Sequence, residues 1–299
     1  MWRRHHGGVP VAVVDVGSNT VRVQVADGNR TLFSERELLR LGADIELHGE
    51  IPPDKLESTA AVVAGYVADA RAAGAKTVEV LIASPGRQAA NGEELARLLE
   101  LRSGCHTRIL SSAEEGQLAF LGALSCAGLP SGRLVGVVDV GGGSAQVVVG
   151  SRKQGPVWWR SIDLGSQRLT SRLLQADPPG HEAVAAARAE VERYLEDFEP
   201  RQPRTALAVG GSARALKRLA GGRLGPDELE KLIDRLAVTP IEVLGDDHSI
   251  GEQRARTLAA GAIILSALQR RLGTPLRVQR GGLREGALLA LAAQRELAA

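Results

Sequence analysis

The chain states one pattern twice. Residues 11–25 read VAVVDVGSNTVRVQV and residues 135–149 read VGVVDVGGGSAQVVV. In each copy a β-branched apolar strand ends in Asp-Val-Gly, a turn of small residues follows, and a second apolar strand returns as a hairpin. The aspartates Asp15 and Asp139 hold the same place in the two copies. Duplication of a strand–turn–strand unit, each copy followed by further strands and helices, predicts two α/β domains of related topology.

Periodicity fills in the rest. After the first hairpin, Thr31–Leu39 reads as a third strand. A stripe of Leu56, Ala60, Val63, Val67 and Ala70 reads as a helix ending at Gly74. Strands at Thr77–Ala83 and Thr107–Leu110 alternate with helices at Gly92–Leu101 and Ala113–Ala127. After the second hairpin, strands are expected at Val157–Ile162, Thr205–Val209 and Leu276–Val278. Helices are expected at 166–175, 182–198, Ser212–Leu219, 226–237, 252–272 and Leu283–Leu297. The segment Gly128-Leu-Pro-Ser-Gly132 is the one plausible joint. The expected domains are therefore 8–127 and 128–299, with the last helix free to pack back on the first. A cleft between two such domains is a usual ligand site.

The turns define the chemistry. Gly17-Ser18-Asn19-Thr20 and Gly141-Gly142-Gly143-Ser144 each follow a strand-end aspartate. Glycines let backbone N–H groups converge on an anion, and hydroxyls add donors. An aspartate beside such a loop can hold Mg²⁺ against phosphate oxygens. One loop alone would read as an ordinary hairpin turn, but the duplication points to a polyanion clamped from two sides. A third turn, Gly210-Gly211-Ser212, lies between a strand and a helix and offers helix N-terminal N–H groups to a phosphate.

Composition narrows the alternatives. Lys+Arg total 37 against Asp+Glu 35, for a net charge of +2, so the chain is no polycation. Aromatics at 3% leave little for stacking on single-stranded nucleic acid, and sequence-specific nucleic-acid binding is not expected. Lysine occurs only at positions 55, 76, 153, 217 and 231, so the basic residues are mostly arginine. That skew fits either a composition bias or bidentate phosphate binding. Cys105 and Cys126 form no CxxC pair, which suits a reduced cytosolic protein. The start, Met-Trp-Arg-Arg-His-His, resembles a signal n-region, but Asp15 stops its apolar run too early, and the tandem His5-His6 reads as solvated. The longest apolar stretch, around Leu258–Leu268, is too short to span a bilayer. A cytoplasmic location and no membrane association are the expectation. The P-loop, the Rossmann fingerprint, the G-x-S-x-G elbow and H-x-x-x-H zinc spacing are all missing from the sequence.

Six ordered segments resemble the exopolyphosphatase/guanosine pentaphosphate phosphohydrolase (Ppx/GppA) family. Asp15-Val-Gly-Ser-Asn-Thr-Val-Arg22 is similar to its first phosphate loop. Ala83-Ser-Pro-Gly-Arg87-Gln-Ala-Ala-Asn91 is similar to its A-T-x-x-x-R-x-A-x-N segment. Ser112-Ala-Glu114-Glu115-Gly-Gln-Leu118 resembles its S-G-x-E-E-A-R-L helix start, and Asp139-Val-Gly-Gly-Gly-Ser144 its second loop. Leu164-Gly-Ser-Gln-Arg168-Leu-Thr170 and Leu283-Arg-Glu-Gly286 resemble the two later motifs. Nearly the whole chain is covered, in what looks like the family's short two-domain form. The implied fold is a pair of ribonuclease-H-like domains of the actin/Hsp70/sugar-kinase (ASKHA) superfamily.

The resemblance implies Mg²⁺-dependent attack of water on a terminal phosphoryl group of inorganic polyphosphate or guanosine pentaphosphate. It assigns Glu115 as the catalytic base, Asp15 and Asp139 to the metal, and Gly17, Ser18, Asn19, Arg22, Arg87, Gly141, Gly142, Gly143, Ser144, Gly210, Gly211 and Ser212 to the substrate. From spacing alone, Ser112-x-x-Glu115 is equally a helix capping box, and Arg22 and Arg87 could be surface arginines. Gln146 stands where the family usually has Glu, and Gln117 where it has Arg. Those two departures support an alternative, a weakly active or non-catalytic alarmone- or nucleotide-binding sensor; an ATP-dependent kinase fits least. A homodimer is compatible with either reading.

Overall fold

The computed structural model describes residues 9–28, 30–248 and 250–298. The Met-Trp-Arg-Arg-His-His start therefore lies outside the described residues. The elements run β1 (Val11–Val16), β2 (Thr20–Asp27), β3 (Arg30–Leu38), α1 (Leu41–His48), α2 (Pro53–Ala72), β4 (Thr77–Ile82), α3 (Ser84–Gln88), α4 (Gly92–Ser103), β5 (Thr107–Ile109) and α5 (Ser112–Ala127). The second half repeats the pattern with β6 (Val135–Val140), β7 (Ala145–Ser151), β8 (Gly155–Ile162), α6 (Ser166–Leu173), α7 (His181–Tyr194), β9 (Thr205–Val209), α8 (Gly210–Leu219), α9 (Pro226–Val238), α10 (Ile241–His248), α11 (Glu252–Ala255), α12 (Leu258–Leu272), β10 (Leu276–Val278) and α13 (Leu283–Ala298).

Two five-stranded sheets result, ordered β3-β2-β1-β4-β5 and β10-β9-β6-β7-β8. In both, the strand carrying the aspartate is central, antiparallel to its hairpin partner and parallel to the strand on its other side. Asp15 sits opposite Arg22 and Leu81, and Asp139 opposite Gln146 and Val209. The repeat is thus a structural duplication, and the architecture is the expected pair of ribonuclease-H-like folds. Central strands covered on both faces read as unbroken apolar runs, as VAVVDV and VGVVDV do.

The chain divides into two compact units. One comprises the described residues up to Leu118 with those from Leu283 onward; the other is Ala119–Gly282. This division follows from which helix covers which sheet face. In the first unit, Ala12, Val14 and Val16 pack with α2 and α4. Val11, Val13 and Leu81 pack on the other face with Ala287, Leu288 and Leu291 of α13. Gly286 lets α13 lie close against α5, since a Cβ there would lie 1.9 Å from the Leu118 carbonyl oxygen. In the second unit, Val137, Val148, Leu207 and Val209 pack with Phe120, Ala123 and Leu124 of α5. The contact boundary therefore falls inside α5, and the 128–132 joint is a turn beyond it. Helices α1, α3 and α10 were not expected from periodicity, and the expected 252–272 helix is broken into α11 and α12.

Candidate active site

Seven of the candidate residues lie in the first unit and eight in the second. In the first unit, the loop after β1 is pinned through its carbonyls. Gly17 N–H donates to Thr20 O at 3.0 Å, Gly42 N–H to Ser18 O at 2.7 Å, and the N–H groups of Leu39 and Arg40 to Asn19 O at 3.2 Å each. The peptide unit is planar and trans, so turning the Ser18 carbonyl inward turns the Asn19 N–H the opposite way. Arg40 supplies this clasp from a left-handed conformation, φ 58°. The Ser18 hydroxyl is buried and lies 2.6 Å from that of Ser84. Ser84 opens α3, the turn that follows the neighbouring parallel strand.

Asp15 ends the central strand among charges from two elements. Burial pushes its carboxyl above the usual carboxylate range; the guanidinium charges of Arg284 and Arg22 pull it down, and Glu285 pushes it up. The Leu-Arg-Glu-Gly motif of α13 thus brings a cation and an anion to Asp15, a role for Arg284 and Glu285 that spacing did not suggest.

Glu115 is buried and paired. Arg87 Nη2 lies 2.6 Å from Glu115 Oε2, and Arg87 Nη1 donates to Leu110 O at 2.5 Å. The capping box exists, but one residue earlier than the sequence alternative placed it. Ser111 donates its N–H to Glu114 Oε2 at 2.9 Å and its hydroxyl at 2.7 Å, and Glu114 N–H returns to Ser111 Oγ at 3.2 Å. The Ser111 hydrogen bonds hold the Glu114 carboxyl below the usual range, with Arg108 helping. Glu114 therefore caps α5, and the Glu115 carboxylate faces Arg87 instead. Arg87 is a buried-pair partner of Glu115, not a solvated surface arginine.

In the second unit, the glycine loop caps a helix. Gly141 O accepts from the Ser166 N–H at 2.9 Å, and Gly142 O from the N–H groups of Gln167 and Arg168 at 2.9 and 3.1 Å. These bonds satisfy the first turn of α6, which has no side-chain cap. By the same peptide geometry, the N–H groups of Gly142 and Gly143 turn away from α6. Ser144 and Gln146 are both buried, and Gln146 Nε2 donates to Ser144 Oγ at 2.9 Å.

The third turn is built for close approach. Gly210 has φ 87°, and a Cβ there would lie 2.6 Å from Asp139 Oδ1. A Cβ on Gly211 would lie 2.6 Å from Arg254 Nη2. Helix α8 starts here without a side-chain cap or an acidic residue in its first turn. The Ser212 hydroxyl is buried with no hydrogen-bond partner. An uncapped helix N-terminus beside an arginine is an anion site in waiting. Sequence reasoning missed Arg254, which lay hidden in what read as one long helix; Gly251 just before it, in a left-handed conformation at φ 73°, was the available signal.

Among the described residues, no group of three or more His, Cys, Asp or Glu side chains could by itself hold a metal. Asp15 and Asp139 each present one hard oxygen donor. Mg²⁺ is commonly held by one or two carboxylates together with substrate phosphates, so each aspartate, taken by itself, fits Mg²⁺ arriving with a phosphate chain. No helix among the described residues is long and apolar enough to cross a membrane.

The chain is similar to known proteins over most of its length. The chain is 32% identical over 274 residues to an uncharacterised Streptomyces coelicolor protein, covering 85% of this chain and 81% of that one. It is 27% identical over 301 residues to exopolyphosphatase 1 of Mycobacterium leprae, covering 93% and 88%. The solved structure of the Aquifex aeolicus PPX-GPPA enzyme superposes with a TM-score of 0.78 at 26% identity, covering 94% of this chain and 99% of that one. The family model for Ppx/GppA phosphatases matches residues 21–295, and with the duplicated glycine loops and the order of the motifs this establishes that the chain belongs to the Ppx/GppA phosphatase family.

Proposed function

We propose that this chain is a Mg²⁺-dependent phosphohydrolase that releases terminal phosphate from inorganic polyphosphate, with guanosine pentaphosphate as the alternative substrate. The observation that carries the reading is the Glu115 carboxylate, which is buried, oriented by Arg87 and released from capping duty by Glu114.

In phosphoryl transfer the protein mainly positions groups and neutralises charge. Asn19, Gly142 and Gly143 offer backbone N–H groups to phosphate oxygens. The α8 N-terminus adds Gly210, Gly211 and the Ser212 hydroxyl, and Arg254 adds a guanidinium. Arg22 balances the negative charge near Asp15. Asp15 and Asp139 would hold Mg²⁺, which when bound neutralises phosphate charge. Glu115 accepts a proton from water as the water oxygen bonds to the terminal phosphorus. The bridging P–O bond breaks, and the shortened chain leaves with its electron pair. The products are orthophosphate and a polyphosphate one unit shorter.

One feature favours a second reading, an alarmone or nucleotide sensor. Gln146 cannot accept a proton at neutral pH, and its amide is occupied with Ser144. The two readings separate on phosphate release from polyphosphate and from guanosine pentaphosphate, by the parent protein and by Glu115→Gln. Release by the parent, cut sharply in the variant, supports the hydrolase. Tight binding with no release by either supports the sensor.

A further inference from the structure

Helix α8 begins at the third glycine turn and carries an unbalanced charge. Residues 210–224 contain Arg214, Lys217, Arg218 and Arg223, and no acidic residue. Ser212, Ala213, Ala215, Leu216 and Leu219 are buried, so Arg214, Lys217 and Arg218, spaced i, i+3 and i+4, share the exposed face.

The cations continue past the helix. Leu224 bridges Leu276 in antiparallel register, which sets Arg223 and Arg277, one residue to either side, opposite each other. Both are exposed. Like charges facing across strands destabilise a pair. Strand β10 runs parallel to β9, and Gln279 N–H donates to Ala208 O at 2.9 Å. Arg280, exposed beside Gln279, therefore lies toward the end of the sheet where Gly210 starts α8.

Among the described residues, Lys217, Arg218, Arg223, Arg277 and Arg280 make no side-chain hydrogen bond or ion pair. The acidic residues that next follow Arg223, Asp227 and Glu228, stand in the first turn of α9, where a helix favours negative charge. Glu228 folds over its own helix start, with Oε2 2.4 Å from where a Gly225 Cβ would be. A helix C-terminus accounts for Lys217 and Arg218, but not for the facing pair Arg223 and Arg277, nor for Arg280.

We propose that this basic strip is a subsite for the distal phosphates of a long polyphosphate chain whose end is held at the α8 N-terminus. Lys217 and Arg218 lie about 10–12 Å along α8 from Gly210 at 1.5 Å per residue, so they engage long chains and a short one does not reach them. The proposal rests on the polyphosphate reading above and turns it into a length preference.

The test compares binding of long-chain polyphosphate, tripolyphosphate and poly(U) RNA by the full chain in EDTA, where hydrolysis does not intrude. The variants are the charge reversal Lys217→Glu/Arg218→Glu and the milder Lys217→Gln/Arg218→Gln. Long-chain affinity should fall about tenfold in the reversal and less in the neutral variant, with a shallower salt dependence. Tripolyphosphate affinity should stay within about twofold, since a ligand that does not reach the strip loses no ion contact. Equal thermal unfolding temperatures verify the fold. Unchanged long-chain binding overturns the subsite while leaving the hydrolase reading intact. Selective loss of long-chain binding in a protein that releases no phosphate supports the subsite and sinks the hydrolase reading instead. Loss of poly(U) binding alone overturns the proposal in favour of a nucleic-acid face, and a parent that binds neither polyphosphate overturns it outright.

Discussion

Glu115→Gln separates chemistry from architecture. The structure gives Glu115 two jobs, accepting a proton and anchoring Arg87 at 2.6 Å. Glutamine keeps the shape and a carbonyl that accepts from Arg87, so the pair weakens from a charge-assisted to an ordinary hydrogen bond. That difference is about 1 kcal/mol, or a melting shift of about 2–4 °C. The proton acceptor, in contrast, is lost completely, which costs about 10²–10⁴ in kcat. At about 1.36 kcal/mol per tenfold, the barrier rises by about 3–5 kcal/mol, several times the stability loss. Glu114→Gln is the control, because it carries the Ser111 capping contacts. Glutamine still closes a capping box at this position, so the change should cost at most about 1 kcal/mol of stability and leave kcat unchanged. The assay is phosphate release under saturating polyphosphate, paired with thermal unfolding of both variants. If Glu114→Gln slows turnover as much as Glu115→Gln does, or if Glu115→Gln changes only the melting temperature, the assignment fails.

Four more outcomes follow from particular contacts. Arg254→Ala should raise KM with a smaller change in kcat, and Arg254→Lys should restore part of the affinity; a KM equal to that of the parent in the Ala variant removes Arg254 from the site. Gly210→Ala forces a side chain into φ 87° against Asp139, at about 1–3 kcal/mol, and should lower both melting temperature and phosphate release, whereas an unchanged pair contradicts the turn geometry. Gln146→Glu should raise kcat and lower the Mg²⁺ concentration for half-maximal rate; if neither moves, Gln146 is peripheral. Partial burial raises the Glu230 carboxyl, but hydrogen bonds from Arg188 and Ser266 and the charges of Arg188 and Arg270 outweigh it and hold it low. A depressed folded-state pKa stabilises above the unfolded value and is lost as pH falls through the folded one. Acid unfolding of Glu230→Gln, followed by circular dichroism, should therefore show a weaker loss of stability below the ordinary glutamate range than the parent; an identical acid profile refutes this.

What the sequence made legible was set by period and repetition. The two hairpins announced themselves because both central strands are apolar up to the same Asp-Val-Gly. The helix Pro53–Ala72 was readable from a single apolar stripe. Short elements were not: α3 is five residues long and α11 four, too brief for a periodic signal. That brevity hid Arg254. The capping register was ambiguous because Ser111 and Ser112 precede Glu114 and Glu115 as two overlapping boxes, and only the hydrogen bonds choose between them. The charges that Arg284 and Glu285 bring to Asp15 come from a helix far along the chain, a proximity that no local pattern encodes.

The most direct test of the account is orthophosphate release from long-chain polyphosphate by the parent protein, titrated with Mg²⁺ and with EDTA, beside Asp15→Ala and Asp139→Ala. The account predicts release that rises with Mg²⁺, vanishes in EDTA and is abolished in both variants while their folds persist. Undiminished release in either variant, or binding of polyphosphate by the parent with no release at any Mg²⁺ concentration, contradicts it.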